Sequence, residues 1–502
     1  MNNGKICVSV CAKTADELIK QINRAESLAD VIEIRFDCLD ENELLRALQN
    51  IPQLNNLLIT FRVKSEGGKR ELSLADRLEF WKTFQFYNKN EDYFVDFEAD
   101  TSYFENFVKG KKILSTHYFK KVPKDLTAVF NALAEIARKS IIKLAIKTND
   151  ITDAIPIWQI LKNAKSQNKE IIPIAMGESG KWTRILGLAH GAFLTYASLD
   201  SDKETAPGQV TAKDLNEIYR AQELNENTEV YGILGSNTSV SMSPYIHNTV
   251  FKFHQLNSVF VPLQVHNLDE FIKRMVKPET REIDLNFRGF SVTIPHKQSI
   301  IKHLDFLDET AKKIGAVNTV KIINGKLYGY NTDAQGFIEP LIKVYGDLNG
   351  VKVGILGAGG AARACIYALK QNGAVVTIFA RNIEKAQNLA DDFQVDLQET
   401  QNSISGIQNQ EILVNSTPLG MRGKFEGETP ITAERMKSAK LIYDLVYIPQ
   451  ETEFLKQAKS LGIPTIGGLE MLLAQAVEQQ RIWTALNPPL EEIERIMLQK
   501  LG

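Results

Sequence analysis

Lys143 stands among aliphatic residues, in Ile141-Ile142-Lys143-Leu144-Ala145-Ile146. A buried, unpaired ammonium is costly, so such a lysine either ion-pairs with carboxylates or is kept neutral for chemistry. Other polar residues interrupt apolar runs at a period of two. Glu33 and Arg35, Thr60 and Arg62, Asp96 and Glu98, and Ser115 and His117 would each share one face of an extended strand. His117 and Lys143 fall on consecutive runs, which places them roughly 5 Å apart laterally in a sheet. A desolvated lysine beside a titratable histidine suits Schiff-base chemistry on a carbonyl substrate. Arg35, Arg62 and Arg184 suit a carboxylate or polyhydroxylated anion. Any one of these charges reads equally well as part of an internal salt-bridge network. Taken together, near the C-terminal ends of their runs, they favour a site.

The second half carries a different signal, Val351-Lys-Val-Gly-Ile-Leu-Gly357-Ala-Gly359-Gly360-Ala-Ala362. Gly357 permits a tight turn, Gly359 lets the backbone approach a pyrophosphate, and Ala362 stands where a helix packs on its strand. The next strand-like run, Ala374–Ala380, ends in Arg381-Asn382 with no acidic residue. An arginine there suits the 2′-phosphate of NADP, whereas NAD sites place a carboxylate. Upstream lie Ser239-Val-Ser241-Met-Ser243-Pro244, Val292-Thr293-Ile294-Pro295-His296-Lys297 and Tyr330-Asn331-Thr332-Asp333. Singly each reads as a surface turn; jointly they supply hydroxyls, a cation and a carboxylate.

These residues need scaffolds. Eight β-like runs precede residue 222: Lys5–Cys11, Val31–Asp37, Leu57–Val63, Tyr93–Ala99, Lys112–Tyr118, Ile141–Lys147, Glu170–Met176 and Gly191–Ser198. Helix-period stretches such as Thr14–Leu28 and Leu126–Arg138 separate them, which is the pattern of a (β/α)8 TIM barrel. A polar link over 223–229 follows, and the glycine fingerprint then implies a Rossmann lobe.

The first half resembles the type I 3-dehydroquinate dehydratases over residues 4–222. The resemblance is carried by Glu33-Ile34-Arg35, Thr60-Phe61-Arg62, Glu66-Gly67-Gly68, Ser115-Thr116-His117, Lys143-Leu144-Ala145 and Ala206-Pro207-Gly208-Gln209. It implies Lys143 as the Schiff-base lysine, His117 as general acid/base and Glu66 as the carboxylate orienting His117. It implies Arg184 as the substrate-carboxylate ligand, with Ser9, Glu33, Arg35, Arg62, Thr205 and Gln209 around the substrate. Thr205 replaces a frequent Ser, and Met176-Gly177-Glu178 is more acidic than usual.

Residues 230–502 resemble shikimate dehydrogenases. The motifs are Ser-Met-Ser-Pro, Val-Thr-Ile-Pro-His-Lys, Gly-Ala-Val-Asn-Thr, Asn-Thr-Asp, Asn415-Ser-Thr-Pro-Leu-Gly-Met421, Asp444-Leu-Val-Tyr447 and Gly468-Leu-Glu-Met471 with Gln475. By that likeness Lys297 and Asp333 are the catalytic pair, and Ser241 and Ser243 bind the carboxylate. Thr293, Asn318, Tyr447 and Gln475 hold ring hydroxyls. Gly357, Gly359, Gly360, Ala361, Arg381, Asn415, Thr417, Met421 and Gly468 bind NADP(H). The expected divisions are a barrel over 1–222, a substrate lobe over 230–333 completed by 470–502, and a Rossmann lobe over 334–469. The two activities are consecutive: 3-dehydroquinate to 3-dehydroshikimate, then to shikimate with NADPH, with no metal.

Composition sets the exclusions. The 502 residues are 44% hydrophobic and 24% charged, with Lys+Arg 59 against Asp+Glu 61. That balance gives no reason to expect nucleic acid or membrane partners. No apolar run approaches the roughly 18 residues of a membrane span, and Met1 to Ala15 lacks a targeting profile. The expected location is the cytoplasm. There Cys7, Cys11, Cys38 and Cys365 are expected as free buried thiols rather than disulfides or a zinc site. Two alternatives stay open: a preference for quinate in the second half, and a catalytically silent regulator built from these domains. Retention of Lys143, His117, Lys297 and Asp333 weighs against the latter.

Overall fold

The computed structural model describes residues 2–88, 91–101, 108–137 and 139–501. All eight expected N-terminal strands form: β1 (Lys5–Val10), β2 (Val31–Arg35), β3 (Leu57–Thr60), β4 (Phe94–Glu98), β5 (Lys111–Tyr118), β6 (Ile141–Lys147), β7 (Ile171–Met176) and β8 (Leu194–Ser198). From β1 to β7 each strand pairs in parallel with the next in chain order, and β8 pairs in parallel with β1. Phe193 N donates to Ile171 O at 2.9 Å, joining the starts of β7 and β8 and closing the ring. A short β9 (Val210–Thr211) lies beside β8. The helix read over Leu126–Arg138 spans Leu126–Ala137; Arg138 lies outside the described residues.

Alternation along these strands sorts the interior into layers. One layer is apolar: Cys7, Val31, Leu58, Phe94, Ile113, Ile141, Ile172 and Leu194. Two residues further along each strand come Ser9, Glu33, Thr60, Asp96, Ser115, Lys143, Ile174 and Tyr196. Another two bring Arg35, Arg62, Glu98 and His117. The barrel is thus sealed by hydrophobes at one end and becomes polar toward the C-terminal ends of its strands.

The expectation of four free thiols fails. Cys11 and Cys38 form a disulfide, with Cα atoms 5.4 Å apart, while Cys7 and Cys365 are free and buried. The physical reason is the β1–β2 pairing. Cys11 and Cys38 follow the ends of two adjacent parallel strands, which brings their Cα atoms within bridging range.

Beyond the barrel, β10 (Glu229–Gly235), β11 (Ser258–Gln264), β12 (Phe287–Val292), β13 (Phe306–Leu307), β14 (Thr319–Ile323) and β15 (Lys326–Tyr330) form a sheet ordered β11-β10-β12-β14-β15-β13. A third sheet holds β16 (Lys352–Leu356), β17 (Val375–Ala380), β18 (Asp396–Glu399), β19 (Ile412–Asn415), β20 (Leu441–Asp444) and β21 (Thr465–Ile466). Its order, β18-β17-β16-β19-β20-β21, is all parallel and is the doubly wound Rossmann arrangement. The chain segregates into two compact units. One comprises Met1–Gly232, Ser236–Val240 and Asn257–Phe287; the other comprises Ile233–Gly235, Ser241–Leu256 and Arg288–Gly502. The segment expected as a link is a series of turns in which Leu224 is buried, and Glu229 already opens β10. Among the described residues no helix is long and apolar enough to cross a membrane.

Candidate active sites

The barrel cleft, about 540 Å³, is lined by every site residue anticipated in the first half: Ser9, Glu33, Arg35, Arg62, Glu66, His117, Lys143, Arg184, Thr205 and Gln209. Lys143, 4% exposed, donates from Nζ to Asp96 Oδ2 at 2.8 Å and to the Tyr196 hydroxyl at 2.9 Å. Glu33 Oε1 is 3.9 Å away, held by hydrogen bonds from Ser9 and Thr60. Arg62 Nη2 lies 2.6 Å from Asp96 Oδ2, and its Nη1 donates to Ser115 Oγ at 2.6 Å. Burial opposes the Asp96 charge, yet Arg62 and Lys143 hold its carboxyl well below the usual carboxylate range. Arg35 forks onto Asp37 through two 2.8 Å bonds and is spoken for.

His117 extends from β5 toward Glu66, which ends the turn Lys64–Glu66. Glu66 Oε2 lies 3.0 Å from His117 Nδ1 and accepts His117 N–H at 2.8 Å. Burial, with the Arg62 and Lys143 charges, pushes the imidazole well below its usual range. Burial pushes Glu66 up to about 7 against the pull of Arg62. A neutral imidazole backed by a carboxylate can take and return a proton.

Arg184, on the helix Lys181–Leu186, contrasts with Arg35 and Arg62, the ion-paired arginines of the same cleft. It is 3% exposed, its Nε has no hydrogen-bond partner, and burial lowers it to about 10. An uncompensated buried guanidinium facing a cleft is a receptor for an anion. The loop carrying Thr205 and Gln209 is tied to itself, with Thr205 N donating to Gln209 Oε1 at 2.9 Å.

The other unit holds a cleft of about 710 Å³ lined by Ser241, Ser243, Thr293, Lys297, Asn318, Asp333, Ala361, Tyr447, Gly468 and Gln475, all anticipated. Lys297 Nζ meets Asp333 Oδ2 at 2.5 Å. Asn318 Nδ2 donates to Asp333 Oδ1 at 2.8 Å and to Thr332 Oγ1 at 2.9 Å. Asn331 Oδ1 accepts Asp333 N–H at 3.0 Å, fixing the start of the helix Asp333–Tyr345. That helix packs closely on Gly468–Thr484 because position 336 is glycine: a Cβ there would lie 2.7 Å from Gln475 Cβ. Ser241 Oγ accepts Ser243 N–H at 3.2 Å where the helix Ser243–Phe253 begins.

The nucleotide residues lie around the ends of β16 and β19. Gly357 adopts φ +111°, and a Cβ there would strike Thr417 at 2.7 Å. A Cβ on Gly359 would meet nothing within 4 Å, and one on Gly360 would be 3.9 Å from Lys297 Cδ. The open space over Gly359, at the start of the helix Gly360–Gln371, has room and orphan N–H groups for a pyrophosphate. Arg381 is exposed at the end of β17, and Met421 is 41% exposed. Asn415 is fully buried: it bonds Asp444, Leu419 O and Thr417, so its side chain shapes the loop. Among the described residues no cluster of three or more His, Cys, Asp or Glu could hold a metal.

Sequence reasoning missed several members. Asp96 and Ser115 were recognised as inward-facing but given no role. Tyr196 was passed over in β8, although alternation with Leu194 and Ser198 turns it inward. Ser291 Oγ donates to Gln479 Oε1 at 2.7 Å, and Gln479 Nε2 donates to Asn318 O at 3.2 Å. The spacing of Gln479, four residues after Gln475, was the available signal.

The folds and clefts define a class: an α/β chain that joins a lysine-centred barrel enzyme to a dinucleotide-dependent dehydrogenase. Residues 6–226 match the type I 3-dehydroquinase family, residues 233–320 the shikimate dehydrogenase substrate binding domain, and residues 341–440 the shikimate/quinate 5-dehydrogenase family. A bifunctional 3-dehydroquinate dehydratase/shikimate dehydrogenase, chloroplastic, of Arabidopsis thaliana is 35% identical over 99% of this chain and 84% of its own. The NADP(+) shikimate dehydrogenase of Ignicoccus hospitalis is 35% identical over 54% of this chain and all of its own. A crystal structure of a shikimate dehydrogenase with NADP+ superposes with a TM-score of 0.50 at 34% identity, covering 56% of this chain and 98% of that one. The chain belongs to the bifunctional 3-dehydroquinate dehydratase/shikimate dehydrogenase family.

Proposed function

We propose that this chain catalyses two consecutive steps of the shikimate pathway with the residues described above. Lys143 attacks the C3 ketone of 3-dehydroquinate and forms an iminium that acts as an electron sink. His117, neutral through burial, removes a C2 proton and returns a proton to the hydroxyl leaving C1 as water. Hydrolysis of the iminium releases 3-dehydroshikimate and regenerates Lys143. Arg184 receives the substrate carboxylate, while Glu33, Arg35, Arg62, Ser9, Thr205 and Gln209 surround the ring. The observation that carries this reading is Lys143, buried beside the His117–Glu66 pair in a cleft whose one arginine without an ion pair among the described residues is Arg184.

In the second half, Ser241 and Ser243 take the carboxylate of 3-dehydroshikimate, and Thr293, Asn318, Tyr447 and Gln475 the ring oxygens. Lys297 delivers the proton to the ketone oxygen, and Asp333 holds Lys297 and the neighbouring hydroxyl. NADPH, when bound, supplies the hydride. Gly357, Gly359, Gly360, Ala361, Thr417, Met421 and Gly468 would contact it, Asn415 would shape its loop, and Arg381 would take its 2′-phosphate. The corresponding divisions are 1–222, a link over 223–229, 230–333 with 470–502, and 334–469.

Borohydride added with 3-dehydroquinate should fix the substrate's carbon skeleton to the peptide containing Lys143, read by peptide mass mapping. An adduct on any other lysine overturns the assignment.

A further inference from the structure

Tyr196 has no role in the mechanism above, yet its side chain ends on the reacting amine. It is buried on the inward face of β8, with its hydroxyl 2.9 Å from Lys143 Nζ and its ring centroid 4.2 Å from the same atom. Asp96 reaches Nζ at 2.8 Å from β4. In a ring of eight strands β4 and β8 are opposite walls, so the two oxygens approach Lys143 from two sides. Glu33, at 3.9 Å, is beyond hydrogen-bond reach.

A nucleophilic amine has two N–H groups and one lone pair. With nothing to hold it, it turns about the Cε–Nζ bond, and the lone pair faces the cleft only part of the time. Two acceptors on separate walls remove that freedom and leave one tetrahedral direction for the lone pair. Burial, with Glu33 and Asp96 nearby, pushes the phenol well above its usual range, so the hydroxyl stays neutral. We propose that Tyr196 is a positioning residue for Lys143: its hydroxyl accepts one amine N–H while Asp96 accepts the other, aiming the lone pair at the substrate's carbonyl carbon. The N–C bond then forms as the C=O π pair moves to oxygen. Of the three protons on the starting ammonium, one ends on the iminium nitrogen and two on the departing water.

The proposal rests on the Schiff-base reading and is separable from it. Tyr196→Phe keeps the ring and its packing and removes only the acceptor. Samples of enzyme and 3-dehydroquinate quenched with borohydride at timed intervals give the rate of adduct formation on Lys143, measured beside kcat and KM. In Tyr196→Phe that rate should fall about tenfold with kcat, an effect of about 1.4 kcal/mol on the barrier. KM should stay within about twofold, because Arg184 and the ring-binding side chains are untouched. Adduct formation at the unaltered rate, or a loss confined to KM, overturns the proposal. If the unaltered enzyme forms no adduct on Lys143, the Schiff-base reading itself fails. Dehydrogenase activity of the same variant should be unchanged; a loss there would mean a disturbance wider than one amine and would also count against the proposal.

Discussion

In the barrel, Lys143 sits in a lattice of buried charge: Asp96 and Glu33 on one side, and Arg62 with Glu98 behind them. In the dehydrogenase cleft, Lys297 meets one carboxylate, Asp333, which neutral groups hold in place: Asn318, the Asn331 turn and, through Gln479, Ser291. The difference separates two ways to orient a reactive amine. A charge lattice in low dielectric couples its members electrostatically, so removing one disturbs its neighbours. An amide scaffold fixes direction and leaves charge to the pair alone. The largest effects should come from the lysines themselves. With 3-dehydroquinate and NADPH supplied together, Lys143→Ala should slow nicotinamide oxidation on the order of 10⁴-fold. The same variant given 3-dehydroshikimate should oxidise NADPH normally, whereas Lys297→Ala should be crippled with either substrate. Normal oxidation from 3-dehydroquinate by Lys143→Ala would break the two-site picture.

The surroundings of each lysine test the comparison itself. Asp96→Asn leaves Arg62 and Lys143 short of a buried counter-charge and should destabilise the barrel by about 3–5 kcal/mol. Asn318→Ala removes neutral hydrogen bonds to Asp333 and Thr332 and should cost about 1–3 kcal/mol. Urea inactivation followed separately through the dehydratase and dehydrogenase activities reads each half on its own. Equal shifts in the two midpoints would remove the distinction between lattice and scaffold.

Much of this was legible in the chain because a barrel strand repeats every two residues. Glu33 and Arg35, Thr60 and Arg62, Asp96 and Glu98, and Ser115 and His117 each declare a shared face, and eight such strands stack these faces into layers. Spacing within a strand does not say what lies across the barrel. Asp96 was visibly inward, but its task depends on Arg62, two residues past β3, and Lys143 from β6. Tyr196 was hidden for a related reason: an aromatic on an inward face reads as packing until its hydroxyl is seen to end on a lysine. The Cys11–Cys38 bridge, 27 residues apart in sequence, depends on which strand ends become neighbours. In the second half the motifs name residues but not their partners: the Asn415 side chain bonds Asp444, Leu419 O and Thr417 N–H, which its spacing in the sequence does not announce.

The nucleotide end of the dehydrogenase offers a smaller test, because Arg381 is exposed and lies outside both lysine environments. Arg381→Ala should raise KM for NADPH about tenfold or more, the worth of one charge-assisted contact to a phosphate. KM for NADH, which has no 2′-phosphate, should not change. If both rise together, Arg381 shapes the lobe rather than reading the phosphate, and nothing in that half discriminates by charge.

The smallest effect probes how far the charge lattice reaches, through the His117–Glu66 pair. Burial raises the Glu66 carboxyl to about 7. Below that pH the group is protonated and neutral, and it gives His117 no more support than an amide would. Above it, the carboxylate accepts Nδ1–H and makes the other ring nitrogen a stronger base. Dehydratase kcat/KM should therefore rise as pH passes upward through about 7 and fall as pH drops through it. Glu66→Gln should match the unaltered enzyme near pH 6 and lag it about fivefold at pH 8, its profile flat where the other rises. A rise that persists in Glu66→Gln would assign the titration to another member of the lattice, because a group that no longer ionises cannot carry it.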